Sequence, residues 1–429
     1  MPIDDSQLPT PLAPSDPEEL AAPAERFGLR RTFAALAYPN YRRWFAGQLV
    51  SLFGSWTQAS TQGFLVYELT RSPAYLGYVS FAGGVPAWLF TLFGGVLADR
   101  VPRRRLLLGT QSALMILAWV LAALTFLGVI RAWHIIAIAF LHGVVNAFDA
   151  PARQAFIVEM VDRPDITNAI ALNSTIFHSA TTVGPAIAGV LYAAIGPAWC
   201  FAINALSFLA VLAALASMRV TPAPRGGRGS ALTELREGLR FVARHPTIRP
   251  LIAGLGAVSC FGLGMMTLTP AWAVRVLHGH ARTNGLLLSA RGLGSLASAL
   301  TIASLGRITY RGRLLALGQL LLPAGMLVFA AMRGIPAALA SLVGVGFVVI
   351  AIFNMTNALV QSATPDELRG RVMSIYTMTF FGLMPLGALL AGSLAAQWGE
   401  PTAVVCLALT LLLAAVVYWL RLGRLRALQ

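Results

Sequence analysis

The sequence predicts an all-α integral membrane protein, with twelve transmembrane helices in two pseudo-symmetric six-helix bundles. Composition, the succession of apolar segments and the placement of arginine carry that expectation. Of 429 residues, 57% are hydrophobic and 11% are charged, and the mean hydropathy is +0.71. A soluble domain is roughly 45–50% apolar and about 25% charged. Such a composition excludes an ordinary soluble enzyme, a disordered chain and a transmembrane β-barrel, whose strands alternate polar and apolar residues. One span takes about 20 residues, so the chain has room for about a dozen.

The segments follow in order. Residues 1–25 are rich in Pro, Asp, Glu and Ala and read, within a 1–40 tail, as a disordered cytoplasmic segment rather than a signal peptide. A first six-helix bundle over 41–219 has spans near 44–68, 75–98, 105–127, 133–154, 168–194 and 198–218. A linker over 220–249 contains Arg225–Gly229 and then Ala231–Arg244, where Leu232, Leu235, Leu239 and Val242 recur at helical spacing between arginines. That pattern predicts a helix on the membrane surface. A second bundle over 250–421 has spans near 250–272, 284–305, 313–331, 336–360, 371–396 and 402–421, and 422–429 form a short cytoplasmic tail. The 40 Gly and 24 Pro suit spanning helices, where small residues permit close packing and neighbours re-satisfy bends. Gly184, Gly189 and Gly196 recur as Gly387, Gly392 and Gly399, each 203 residues later, which points to a duplicated architecture.

The net charge of +15 comes from 32 basic residues, all Arg, against 17 acidic ones. In a soluble protein this would suggest nucleic acid; here no nucleic-acid role is expected. With both termini inside, 26 Arg fall on the cytoplasmic side, 5 on the other, and Arg291 lies within a span. The positive-inside rule therefore predicts cytoplasmic termini and assigns most of the charge to topology. Cys200, Cys260 and Cys406 are scattered in apolar stretches and read as small core hydrophobes, with no metal site. Trp44, Trp133, Trp199, Trp398 and Trp419 near span ends read as interface anchors.

The densest charge beside a span is Gly95, Asp99, Arg100, Pro102, Arg103, Arg104 and Arg105. An acid directly after an apolar helix should pair with Arg or cap a helix N-terminus. The spacing resembles motif A of the major facilitator superfamily, G-x-x-x-D-R-x-G-x-R/K-R/K, with Pro102 where that family usually has Gly. Residues 65–77, 148–156, 184–191 and 364–374 resemble its branch of drug/proton antiporters and siderophore exporters, the one containing the enterobactin exporter. The resemblance covers about residues 30–420. It implies two six-helix bundles around a cavity open alternately to each side. It also implies an inner gate in which Asp99 latches span 2 to the second half near span 11, with Arg100 and Arg104 in the charge network. Motif B is absent as such, Arg153–Gln154 matching it loosely. Motif C is partly matched by Gly184, Pro185 and Gly189, whose physical effect is to bend and closely pack span 5.

Span 4 carries His142, Asn146, Asp149, Arg153 and Gln154. Asp149 and Arg153 are four apart and share a helical face. Two readings stand: proton coupling at Asp149, or a fixed ion pair joining the inner Arg cluster at Arg100 or Arg103. Glu68 is an interfacial residue or an outer gate. Gln58, Gln62, His178, Asn354 and Asn357 are mid-span polar groups for either interhelical contact or substrate. Arg291, if it lies at depth, needs a carboxylate partner or an anionic substrate; a later start to span 8 would leave it at the outer mouth. Phe261, Phe353, Phe380 and Phe381 are candidates for an apolar cavity lining.

The chain lacks Lys and shows no GxxxxGK[ST], HExxH or GxSxG, so neither an ATP motor nor a hydrolase is expected, and no cofactor is expected. The predicted function is a secondary transporter in the bacterial inner membrane. It would be a monomer exporting a small amphipathic compound (drug, siderophore or metabolite) by alternating access with protons as the coupling ion. The alternatives are an uptake or lipid-handling transporter of the same fold, or a non-transporting membrane sensor.

Overall fold

The computed structural model describes residues 33–218, 231–305 and 310–421, except the side chains of residues 92, 96, 99, 231–234 and 421. The first half comprises α1 (Pro39–Thr70), α2 (Pro73–Arg100), α3 (Arg103–Phe126), α4 (Ala132–Val158), α5 (Ile166–Ile195) and α6 (Pro197–Ser217). A linker helix, α7 (Ala231–Arg244), precedes the second half. That half comprises α8 (Ile248–Val276), α9 (Ala281–Leu305), α10 (Arg311–Ala331), α11 (Ile335–Ser362), α12 (Asp366–Trp398) and α13 (Glu400–Arg421). Among the described residues, ten helices are long and apolar enough to cross a membrane by length and composition, and α1 and α2 complete a set of twelve long helices. The Arg225–Gly229 stretch and the tails over 1–32 and 422–429 lie outside the described residues.

The helices run longer than their apolar windows because local chemistry, not hydropathy, sets their ends. Proline in the first turn opens α1, α2, α6 and α11, where a missing N–H costs nothing. Gly196 and Gly399 close α5 and α12 with φ of +84° and +83°, a backbone state glycine adopts without a Cβ clash. Residues 33–40 are packed rather than outside the fold. Ala35 is buried and its N–H donates to Asn168 Oδ1 at 3.0 Å, and α1 begins at Pro39. This corrects the placement of Trp44. It is 1% exposed and packs edge-to-face on Phe156, with ring centroids 5.4 Å apart, whereas Trp133, Trp199 and Trp398 are exposed.

Each half crosses an even number of times. The start of α1, the end of α6, the start of α8 and the end of α13 therefore share one face, termed the terminal face; the opposite one is the distal face. The halves meet along two seams, α5 with α9 and α2 with α12. Glycines let the backbones touch there, and the two seams repeat each other. A Cβ on Gly77 would stand 2.9 Å from Ala388 O, and one on Gly285 2.3 Å from Pro185 O. A Cβ on Gly84 would meet Pro385 Cγ at 1.9 Å, and one on Gly292 would meet Thr182 Cα at 2.6 Å. Gly77 and Gly84 lie 208 residues before Gly285 and Gly292, while Thr182 and Pro185 lie 203 before Pro385 and Ala388. Two helix pairs thus carry one contact, related by the pseudo-two-fold axis.

α8 departs from regularity. It passes through π-helical turns at Val258–Leu263 and Trp272–Val276, with a 3-10 turn at Met265–Leu268 between them. Its Trp272 is fully buried and stacks on Phe329 at 4.4 Å. α7 shows the helical spacing predicted for it, and it docks on α12. Glu237 Oε2 pairs with Arg371 Nη1 at 2.7 Å, and Gly238 lies against Ile375. Arg236 and Arg240 remain exposed.

Candidate functional site

The most polar interior of the first half lies between α3 and α4. Asp149 is fully buried. Its Oδ1 accepts from Thr110 Oγ1 at 2.7 Å and from Gln111 Nε2 at 2.8 Å. Its Oδ2 stands 3.6 Å from Arg153 Nε and accepts no hydrogen bond. One turn away on the same helix, Asn146 Nδ2 lies 2.9 Å from His142 Nδ1. Asp149 therefore draws its partners from α3 and its own helix, not from Arg100 or Arg103 as one reading expected. The reason is depth: Asp149 sits inward of the terminal face, level with the second turn of α3. Thr110 and Gln111 were not singled out from the sequence. Their signal was a polar pair inside an otherwise apolar span.

The arginines of the motif A segment reach α4 and α6. Arg103 Nη1 pairs with Glu159 Oε1 at 2.7 Å, joining the start of α3 to the end of α4. Arg104 donates from Nε to Leu215 O at 2.6 Å and from Nη2 to Ala216 O at 2.9 Å. It thus satisfies carbonyls left open at the end of α6 and places a cation at the negative end of that helix. Arg100 and Arg105 are exposed. Gly95 has open space where a Cβ would be, and the tight approach falls instead at Gly94, where a Cβ would lie 2.1 Å from Ala147 O. The Asp99 side chain lies outside the described residues, at the terminal-face end of α2.

Around α1, Gln58 is a packing group. Its Oε1 accepts from Asn204 Nδ2 of α6 at 2.7 Å, and both residues are buried. Gln62 is half-buried. Thr57 Oγ1 donates to Gly184 O at 3.2 Å, the carbonyl just before Pro185, and a Cβ on Gly184 would press on Trp56 Cβ at 2.7 Å. A Cβ on Gly189 would lie 2.9 Å from Ala281 O of α9. Of the three residues expected to bend and pack this helix, Gly184 lies against α1, while Pro185 and Gly189 lie against α9 in the α5 seam. His178 is half-buried, its ring edge-on to Phe177 at 5.8 Å, and Phe177 in turn packs on Trp56. Its carbonyl accepts from Thr181 and Thr182 at 2.8 Å each.

The distal face carries two polar links. Glu68 accepts a hydrogen bond from Tyr192, tying α1 to α5 within the first half. Arg275 Nη1 pairs with Glu400 Oε1 at 3.2 Å, and Glu400 is 2% exposed at the start of α13. Arg275 also lies close to the Tyr67 side chain of the first half. Neither Glu400 nor Tyr67 was singled out from the sequence, since both look like ordinary span-end residues.

In the second half α9 starts at Ala281, so Arg291 lies deep in the helix and not at its mouth. Its carbonyl is pressed by Gly346 of α11, where a Cβ would be 2.0 Å away, and its Nε is sealed from solvent with no acceptor. An Arg at the centre of a spanning helix costs about 2.5–3.5 kcal/mol on insertion scales. Asn354 is half-buried, and Asn357 accepts from Gln361 one turn on, at 2.6 Å. Phe353 and Phe380 pack at 4.4 Å, Tyr376 donates to Phe353 O at 2.9 Å, and Phe381 is exposed.

Comparison with known proteins follows this geometry. Residues 30–428 match the family described as transmembrane secretion effectors. The multidrug efflux pump Tap of Mycolicibacterium fortuitum is 30% identical over 389 residues, covering 86% of this chain and 94% of that protein. The staphyloferrin A transporter of Staphylococcus aureus is 26% identical, covering 83% and 89%. The enterobactin exporter EntS of Citrobacter koseri is 25% identical, covering 91% and 93%. Among solved structures, a bacterial homologue of the human lysosomal transporter Spinster, inward-facing and unoccupied, superposes with a TM-score of 0.69 at 15% identity, covering 92% and 97%. The nucleoside transporter NupG superposes with 0.66 at 13% identity, covering 89% and 98%. The chain belongs to the transmembrane secretion effector family and is a multi-pass secondary transporter of the major facilitator type, not an enzyme.

Proposed function

We propose that this protein exports a small amphipathic compound from the bacterial cytoplasm, driven by proton entry, by rocking its two halves about the paired glycine seams. The observation that carries the reading is the repeated contact of α2 with α12 and α5 with α9. Backbone against backbone, such seams can shift as rigid surfaces without repacking long side chains. Export, rather than uptake, follows the efflux and exporter relatives. The 26-to-5 division of Arg supports a cytoplasmic terminal face in the inner membrane, and the chain works as a monomer. Asp149 is the proton site in this reading, its Oδ2 accepting no hydrogen bond and standing 3.6 Å from Arg153 Nε. Asp99 latches α2 on the cytoplasmic side.

Everted membrane vesicles with an acidic interior test this. The fluorescent amphipaths 7-methoxycoumarin-3-carboxylate and its neutral carboxamide should accumulate inside, and a protonophore should stop it. Accumulation unaffected by the protonophore removes proton coupling, movement in the opposite direction makes the protein an importer, and no movement of either dye overturns the reading. Asp99→Asn should abolish accumulation with expression intact.

A further inference from the structure

The second half places a single cation where the first half has no side chain. Gly83 and Arg291 occupy matching positions 208 residues apart, beside Gly84 and Gly292. Their surroundings match as well. A Cβ on Gly143 of α4 would lie 2.2 Å from Gly83 O, and one on Gly346 of α11 lies 2.0 Å from Arg291 O, with Gly143 and Gly346 separated by 203 residues. The backbone contact is therefore the same in both halves. Since the first half makes it with glycine, packing does not account for an arginine.

The direction of Arg291 follows from its helix. Asn284, two turns earlier on the same face, is 1% exposed and reaches Ser60 of α1 across the halves at 3.4 Å. Arg291 lies below it on that inward face. Ser295, one turn further, donates to Gly346 O at 3.3 Å and to Arg291 O at 3.1 Å, fixing the backbone on both sides.

No carboxylate compensates the charge among the described residues. Asp149 is paired with Arg153, Glu159 with Arg103, Glu237 with Arg371, Asp366 with Arg369 and Glu400 with Arg275. Glu68 accepts from Tyr192, Asp162 and Asp165 accept from Tyr38, and Glu367 is exposed in the first turn of α12. An arginine held at depth with its Nε lacking an acceptor is a site awaiting an anion, and its planar fork suits an oxyanion best.

We propose that Arg291 is the substrate anchor of the central cavity and that it selects amphipathic compounds bearing a carboxylate or a similar oxyanion. The Trp56–Phe177–His178 aromatic run, one turn along the α5 seam from the Thr182–Gly292 contact, supplies an apolar wall for the rest of such a molecule. This inference rests on the transport reading and extends it to a substrate class.

Binding of the two coumarins to the full chain in lipid nanodiscs, with empty nanodiscs subtracted, tests it. The wild type should bind 7-methoxycoumarin-3-carboxylate at least tenfold more tightly than the carboxamide. Arg291→Gln should lose that preference while its carboxamide affinity stays within twofold, and Arg291→Lys should keep part of it. An unchanged preference in Arg291→Gln overturns the proposal, as does an equal loss for both probes, or a wild type that binds the carboxylate no better than the carboxamide or not at all. If Arg291-dependent binding is found but the vesicles accumulate neither dye, the anchor stands and the secretion reading fails.

Discussion

In the first half, Thr110 and Gln111 of α3 donate to Asp149 of α4. In the second, the matching contact sets Gly318 of α10 against Ile352 of α11, where a Cβ on Gly318 would lie 2.9 Å from Ile352 Cγ1. Gly318 stands 208 residues after Thr110, and Ile352 stands 203 after Asp149. Along α4 and α11 the contrast continues, Asn146 facing Val349 and Arg153 facing Thr356 in the same register. One backbone arrangement is thus filled once with hydrogen-bonded polar groups and once with an apolar side chain. Burying a carboxylate is costly unless it is fully partnered, and the second half shows that the helix pair forms without it. The polar cluster of the first half and the lone Arg291 of the second are therefore departures from a shared frame. They are the places to which the proposed function is assigned.

The largest effect should come from the frame itself. Gly84→Ala and Gly292→Ala each force a methyl into a seam, at 1.9 Å from Pro385 Cγ and 2.6 Å from Thr182 Cα. Each should lower stability by about 1–3 kcal/mol, with Gly84→Ala the worse, and vesicle transport should fall in both. Thermal melting checks the ranking, and a silent pair would mean that the seams are not in contact.

Next comes the polar cluster. Asp149→Ile leaves Gln111 and Arg153 without their partner and should cost about 2–4 kcal/mol. Adding Thr110→Gly copies the second half and should recover about 1 kcal/mol, the methylene clash being relieved. Proton release on adding substrate should stay absent in both variants. A double variant less stable than the single one would break the equivalence of the two helix pairs.

Smaller still is the cap on α6. Arg104→Ala removes two hydrogen bonds to terminal carbonyls from a half-exposed arginine, so the loss should be about 1 kcal/mol, seen as a shift of the melting curve with transport retained. Abolished transport would instead return Arg104 to the gate.

The smallest effect concerns Tyr38, whose hydroxyl reaches Asp165 at 2.8 Å and Asp162 at 3.2 Å, joining the start of α1 to the turn before α5. The hydrogen bond to Asp165, with desolvation and Asp162 adding to it, pushes the phenol up from 10.0 to about 12. A raised value means that the neutral phenol is favoured in the fold. Its contribution is then complete below pH 10 and lost as pH rises through 12. Melting temperatures between pH 9 and 12.5 should fall more steeply in the wild type than in Tyr38→Phe; superimposable limbs would remove the tether.

Much of this was legible in the sequence. Length and composition were enough for a twelve-helix membrane fold, and the i, i+4 spacing placed Asp149 beside Arg153. The recurrence at 203 residues exposed the duplication through Gly184, Gly189 and Gly196. What stayed hidden was long-range pairing. Nothing local in α3 says that Thr110 and Gln111 turn toward Asp149, or that Asn204 meets Gln58 across 146 residues. The equivalence of Gly83 and Arg291 was masked because α10 and the loop after it are together shorter than α3 and its loop, which changes the offset from 208 to 203. Trp44 misled because its position at a span end suggested an anchor, while the helix in fact begins five residues earlier, at Pro39.

The pinned ends of the connection between the halves set a mechanical limit. α6 is held at its close by Arg43 on Ser217 O and by Arg104 on Leu215 O and Ala216 O, and α7 is fastened to α12 through Glu237 and Arg371. Only the chain from Met218 to Ala231 is left to span the gap. At about 3.4 Å per residue, that leash is at most about 45 Å long when taut. However the halves tilt, the end of α6 and the start of α7 can part no further than this length. Each residue removed would shorten that limit by about 3.4 Å.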